Sequence, residues 1–419
     1  MNIIYLLLML SFSFNAFSED GEFAIKGQLS LASFYSELDT KWRGGSTLRY
    51  IPELSFEKEL NSSAVFIFDT SINMYASENS HLDEKSSRNK AELYRFKAQG
   101  KFTNSDLRVG LQKLNFGPAI VLRSLQWFDQ LNTTDPLGLT DGVWAIRYRY
   151  FFENNINFWL WSLYGNEDLK GIEVSETVEG SAEFGGRLEY PLEIGELAFT
   201  FHQRKSEKMG FAGLDLEEEL MEKRYAFDGH IDIEIGTWFE VVSVDQATSI
   251  DNNWYNSFVV GADYTFNLKS GLHVVFEHLH SGFAKTALNI NRANNTSALQ
   301  LNYPLNLIDS FSFLQNLSVN YNLAVSNKYF DGVDSTYITQ NNLRISGGTV
   351  NLSSKWKITI GGVGYDFVRK SFTYPDFRFQ RDLHCWEMGM SWQPQRGTYS
   401  FYIRVKQPSQ LDFLNLLSI

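Results

Sequence analysis

Apolar and polar residues alternate one for one along most of this chain. Phe23, Ile25, Leu29 and Leu31 share one face of the first patterned segment, and Lys26, Gln28 and Ser30 share the other. Phe66, Phe68, Ile72 and Met74 oppose Asp69, Ser71 and Asn73, and Tyr94, Phe96, Ala98 and Phe102 oppose Arg95, Lys97, Gln99 and Lys101. Trp144, Ile146, Tyr148 and Tyr150 lie opposite Arg147 and Arg149. Further on, Tyr225, Phe227, Ile231, Ile233 and Ile235 alternate with Asp228, His230, Asp232 and Glu234, and Leu317, Val319, Tyr321, Leu323 and Val325 with Ser318, Asn320 and Asn322. A period of two belongs to strands with two unlike faces, not to helices. The segments recur about every 20 residues. Connections alternate in length. Asn61-Ser62-Ser63, Asn104-Ser105, Asn154-Asn155 and Glu193-Ile194-Gly195 read as tight turns, whereas Ser77–Asn89, Asn166–Gly180, Ser206–Met221 and Ser281–Thr296 read as long polar loops. Short turns at one end and long loops at the other predict an all-β, antiparallel up-and-down transmembrane β-barrel of about 18 strands, with 16 the next size.

Composition supports a barrel over a soluble sandwich. Aromatic residues make up 15% of the chain, with 34 Phe, 20 Tyr and 10 Trp, yet the mean hydropathy is only −0.25. No stretch past the N-terminus approaches the ~20 apolar residues of a membrane helix. Strands that turn apolar residues to lipid and polar residues inward, with aromatics at both interfaces, reconcile the two facts. The uncharged apolar run Ile3–Phe14, followed by Ala16 and Ser18, reads as a signal peptide cleaved after Ser18, although it lacks the usual basic start. The expected organisation is residues 1–18 signal peptide, 19–406 barrel and 407–419 periplasmic tail. The single cysteine, Cys385, precludes an intramolecular disulfide, and a net charge of −12 argues against a nucleic-acid partner.

A barrel of this size is too wide for its own wall side chains to fill, so the lumen holds water unless something plugs it. The alternation points Arg95, Lys97, Lys101, Arg108, Arg147 and Arg149 inward as a basic wall. It points Asp228, Asp232 and Glu234 inward about half a circumference away, as an acidic wall. Facing walls of opposite charge would set a transverse field that orients passing solutes. The least strand-like stretch runs from Phe116 to Gly142 and carries Arg123, Asp129 and Asp135 among Trp127, Phe128 and several leucines. A loop this apolar is expected to fold inward as a constriction, with those three charged residues lining it.

The run GLQKLNFGPAIVLRSLQWFDQLNTTDPLGLTDGVWAIRYRYFF, Gly110 to Phe152, resembles a region of porin-like and polysaccharide-export outer-membrane barrels in which a strand leads into a loop folded toward the pore. Arg381-Asp382-Leu383-His384-Cys385-Trp386-Glu387 and the following GTYSFYIRVKQPSQLDFLNL resemble the closing strands of Bacteroidetes-type lipopolysaccharide-assembly barrels. This chain is far shorter than that family's barrel plus jelly-roll and lacks its paired cysteines, so the likeness bears on how the last strands are recognised by the barrel-assembly machinery. The tail carries Leu411, Phe413, Leu414, Leu416 and Leu417 and is expected to dock on the barrel base or on a periplasmic partner.

Signals of catalysis or of a cofactor are weak. His278 and His280 share a strand face but end just before a polar loop, too few ligands for a metal site. No Gly-rich phosphate loop, haem-attachment motif or local Ser-His-Asp signature stands out, so neither an enzyme nor a cofactor is expected. Three classes remain: a porin-like outer-membrane channel for small hydrophilic or anionic solutes; a dedicated conduit, for polysaccharide export or as the sleeve of a cytochrome complex; and a structural or assembly barrel. The barrel contacts outer-membrane lipid, and the sequence leaves open whether it forms a homo-oligomer.

Overall fold

The computed structural model describes residues 14–18, 21–38, 41–81, 84–128, 130–131, 140–171, 173, 175–207, 219–246, 254–268, 271–290, 292–304, 314–315, 318–330, 333–346, 348–373, 377–383, 386–394 and 398–405. No α-helix occurs among the described residues. Nearly all strands join one antiparallel sheet of 25 pieces. Several pieces continue one another, such as Leu314–Gln315 with Ser318–Phe330, and Trp356–Ile360 with Val363–Asp366. The wall therefore has fewer staves than pieces and falls in the expected size class.

Each stave pairs with the next in the chain, and the ring closes. Gly21–Leu38 pairs on one side with Lys41–Asn61, from Glu22↔Glu57 to Leu38↔Lys41. On its other side it meets the last strand, Thr398–Val405, from Ser30↔Arg404 to Tyr35↔Tyr399. Closure removes the unpaired edge that an open sheet would carry into lipid. Phe14–Ser18, within the expected signal peptide, pairs with Gly21–Ile25.

The two faces are inverted relative to a water-soluble sheet. On Val143–Phe151, Val143, Ala145 and Arg147 are buried while Trp144, Ile146 and Tyr148 are exposed, Ile146 at 53% against 5% for Arg147. On Leu272–Ala284, Glu277 is fully buried and its neighbour Phe276 is 45% exposed. Charged groups inside and a continuous aromatic and aliphatic surface outside describe a wall whose outer solvent is lipid.

Turns expected to be tight are tight: at 62–63 the Asn61 side chain accepts a hydrogen bond from the Ser63 N–H at 2.9 Å, and Asn155 adopts φ 62°. Two loop expectations need correction. Ser77–Asn89 is not a long loop: its described residues extend the strands Ala64–His81 and Glu84–Phe102, whose pairing runs to His81↔Glu84. Polar residues alone do not end a strand when both its faces stand in water. The second is Asn166–Gly180, whose described residues fold into the lumen. Gly361-Gly362 separates Trp356–Ile360 from Val363–Asp366. The ladder breaks there, but the same register resumes beyond it, from Ile345↔Val363 to Thr349↔Thr359. Register shifts fall instead at Glu59/Asn61, Ser71/Ile72 and Ala324/Val325.

Stave lengths are unequal. The first four strands, from Gly21 to Phe102, are 18, 21, 18 and 19 residues long, and the next three are 8, 9 and 7. Of the strand Glu84–Phe102, Ser105–Gln112 pairs only with Phe96–Phe102. Above Phe96, the strand has a described neighbour on one side alone.

Candidate functional site

The inward chemistry starts on three short strands, Ser105–Gln112, Val143–Phe151 and Asn157–Leu163. Their register sets Arg108 beside Arg147 and Asp106 beside Arg149, then Arg147 beside Trp161 and Arg149 beside Trp159. Directly opposed residues in an antiparallel pair share a face, so the arginines form a strip on the lumen side. Asp106 holds one end, accepting from Arg108 Nε at 3.0 Å and from Gln99, with Arg147 Nη2 at 3.8 Å. Arg149 lies 3.9 Å from the Trp159 ring centre, and Arg147 lies 5.1 Å from it. Arg147 Nε and Nη2 and Arg149 Nε have no hydrogen-bond acceptor among the described residues.

The acidic residue expected across the lumen lies on the same arc of wall. Arg149 Nη2 approaches Glu189 at 3.8 Å, and Glu189 also accepts from Arg187 Nε at 2.9 Å and Trp159 Nε1 at 3.1 Å. Arg187 in turn binds both oxygens of Asp228, at 2.6 and 2.8 Å. Asp228 is therefore tied to the arginines by a chain of ion pairs and does not face them. Charges on neighbouring staves, within side-chain reach and out of bulk water, pair before any long-range field is set up. Asp232 and Glu234 are exposed at the turn after the Leu220–Asp232 strand. Lys97 pairs with Asp69 at 2.9 Å, Arg95 Nη1 donates to the Tyr94 carbonyl at 2.6 Å, and Lys101 is exposed near the turn at 103–104.

The loop expected to fold inward does so. Leu114, Phe116, Leu125, Trp127 and Phe128 pack against the inward residues Trp159, Trp161, Leu163, Ala226, Val242 and Val244. Between them the backbone hangs from two wall carboxylates. Glu240 accepts from the N–H groups of Ala119 at 3.1 Å, Ser124 at 2.8 Å and Leu125 at 3.1 Å. Glu277 accepts from Ile120 at 2.6 Å, from Val121 at 2.9 Å and from Leu122. Gly117, at φ +94°, must be a glycine here, because a side chain would run into Glu240 and Leu125. Arg123 donates to Asn115 within the loop; Asp129 and Asp135 lie outside the described residues.

Sequence reasoning missed the second inward segment. Lys170 Nζ sits 2.9 Å from Glu183, and Glu173 bridges Arg204 at 3.1 Å and Arg224 at 2.9 Å. Glu222 ties the two arginines together. His202, fully buried, meets Glu183 at 3.0 Å and accepts from Trp161 Nε1 at 3.3 Å. Gly171 stands so close to the Gln126 carbonyl that no Cβ fits, which stacks this segment on the first loop. A third piece, 285–290, is caught by Asn256, which donates to the Thr286 carbonyl at 3.1 Å and accepts from the Leu288 N–H at 3.2 Å. The available signal was in the strands: Glu183, Glu222, Glu240 and Glu277 all fall at inward positions, and Glu240 and Glu277 have no Lys or Arg on their own strands. His278 and His280 face the other way, to Ser297 at 2.8 Å and Asn295 at 2.6 Å. No group of three metal-ligating side chains occurs among the described residues.

No protein-family model matches the chain, and no curated protein matches its sequence. Solved structures similar to it include Pseudomonas aeruginosa OccK7, at 9% identity and TM-score 0.46 over 94% of this chain and 100% of that one. Acinetobacter baumannii OccAB1 follows at 10% and 0.45, over 96% and 99%. The anion-selective porin of Comamonas acidovorans stands at 11% and 0.41, over 91% and 98%. The barrel assignment rests on the strand pairings and the inverted faces described above.

Proposed function

We propose that this chain is an outer-membrane, porin-like channel for passive diffusion of small hydrophilic solutes, with a preference for anions. The observation that carries this reading is the arginine strip of Arg108, Arg147 and Arg149. Arg108 and Arg149 are partly exposed on the lumen face, beside a constriction the barrel builds from its own loops. An anion passing the strip finds hydrogen-bond donors whose charge is only partly neutralised by Asp106 and Glu189. A sleeve for another protein needs a clear lumen. Here the described residues of the segments 113–128, 164–181 and 285–290 occupy the side bounded by the strands from Asn157 to Ala284, which favours a channel for small solutes.

The test is single-channel conductance of the refolded full chain in a planar bilayer with a salt gradient. A steady conductance with weak anion preference is expected. Arg108→Gln with Arg149→Gln should move the reversal potential toward cations without unfolding the barrel, since lumen positions tolerate such changes. A folded barrel that passes no current, or an unchanged reversal potential in the double variant, would overturn the proposal or its selectivity.

A further inference from the structure

We propose that the lumen face of the strands Arg292–Pro304, Ser318–Phe330 and Val333–Ser346 is a docking track for the hydroxyl groups of a neutral saccharide. The register aligns carboxamides across the three strands. Asn302 opposes Asn320, Gln300 opposes Asn322, Asn322 opposes Asn342, and Ala324 opposes Gln340. This is the lumen side, because the same rows continue through Glu277↔Ala298, and Glu277 holds the inward loop. Six primary amides thus share one face. Inward residues along a strand are about 6.8 Å apart and neighbouring strands about 4.8 Å, so the amides form a close, regular grid.

The chemistry differs from that of the arginine arc. Asn322 donates to Asn342 at 3.2 Å and Asn302 donates to Asn320, so the panel is tied together laterally. A primary amide carries two N–H donors and an oxygen with two lone pairs, and one lateral bond leaves capacity for a ligand. A sugar hydroxyl is likewise donor and acceptor at once, and the amides match it without the desolvation cost that an ion imposes; Arg344, opposite Asn320, and Asp366, opposite Asn342, stand at the edge of the panel. Asn302 and Gln340 are exposed to the lumen, and Ala298 and Ala324 leave room between the amides. The hydrogen bonds described above for the inward segments run to Glu240, Glu277 and Asn256, on other staves.

The inference rests on the channel reading only in taking the lumen as a solute path, so two readouts separate the two. Maltohexaose is titrated into the detergent-solubilised full chain by calorimetry, with poly(ethylene glycol) of similar length, which has no hydroxyls along its chain, as the control. Maltohexaose is expected to bind and the control not to. Asn322→Leu with Asn342→Leu, close in volume but without polar atoms, should weaken binding about tenfold, and Asn302→Ala with Asn320→Ala provides a second pair if the first fails to fold. In the bilayer, maltohexaose should interrupt the open-channel current of the parent chain. A barrel that binds maltohexaose but passes no current would sink the channel reading and leave the track. Absence of heat, equal binding of the control, or binding unchanged in both pairs would overturn the track.

Discussion

Two glycines fix the position of the inward indoles. Trp238 lies over Gly261 on the next stave, and Trp161 lies over Gly185. A methyl group at either glycine would overlap the indole. Lying flat lets Trp238 Nε1 reach across to Glu277 at 3.0 Å. Gly261→Ala should therefore tilt Trp238, break that bond and destabilise the barrel by about 1–3 kcal/mol, read as a lower urea midpoint for unfolding. A midpoint equal to the parent's would mean the indole moves without consequence. Some of this was legible at the residue scale. The alternation set Arg147 and Arg149 on one face, because a two-residue period needs no tertiary information, and the register brings Arg108 to the same face. The partners were not legible. Glu189 meets the strip at Arg149, Asp228 is joined to it only through Arg187, and which staves lie side by side sets that chain.

At the scale of elements, the inward loop hangs from the wall by hydrogen bonds between its backbone and two carboxylates. Glu277→Gln replaces one acceptor oxygen with a donor facing N–H groups, and each orphaned group costs about 1–3 kcal/mol. The variant should show a larger and noisier single-channel current as the segment around Ile120–Leu122 loosens. A current indistinguishable from the parent's would show that Glu240 and the apolar packing of Trp127 and Phe128 hold the loop without Glu277. The inward course of this loop was readable from its composition, since a long connection this apolar has no stable place in water. The segment from Asn166 to Gly180 is polar, and polarity reads as exposure. Lys170 and Glu173 are buried because the wall supplies their counter-charges at Glu183, Arg204 and Arg224, and no local pattern in the segment reveals that.

At the scale of the whole molecule, the barrel has two solvents, and substitutions should sort by which one they face. Ile146→Arg, on the lipid face, is expected to cost about 2–4 kcal/mol if it sits near the bilayer midplane and less near the interface. It is checked by equilibrium unfolding into urea from lipid vesicles; a negligible cost would place that face against protein. Intact mass of the purified protein tests the N-terminal processing expected from the sequence. Cleavage after Ser18 would leave Glu19 as the first residue and remove Phe14–Ser18 from Gly21–Ile25, whereas an uncleaved mass would leave that pairing in the mature barrel. Fold class and loop polarity were legible in the whole sequence because closure and membrane exposure impose the same alternation on every stave. The heights of the staves were not, since polar alternation continues past the membrane with nothing to mark the rim. Those heights have a dynamic consequence. From Glu84 to Leu93 the strand is bonded to Ala64–His81 and has no neighbour on its other side among the described residues. Along such a border alternate amides point toward the partner and away from it. Deuterium should therefore enter that stretch at every second residue within seconds, while the ladder below Phe96 keeps its protons for hours, drawing a comb-like exchange profile along a single strand.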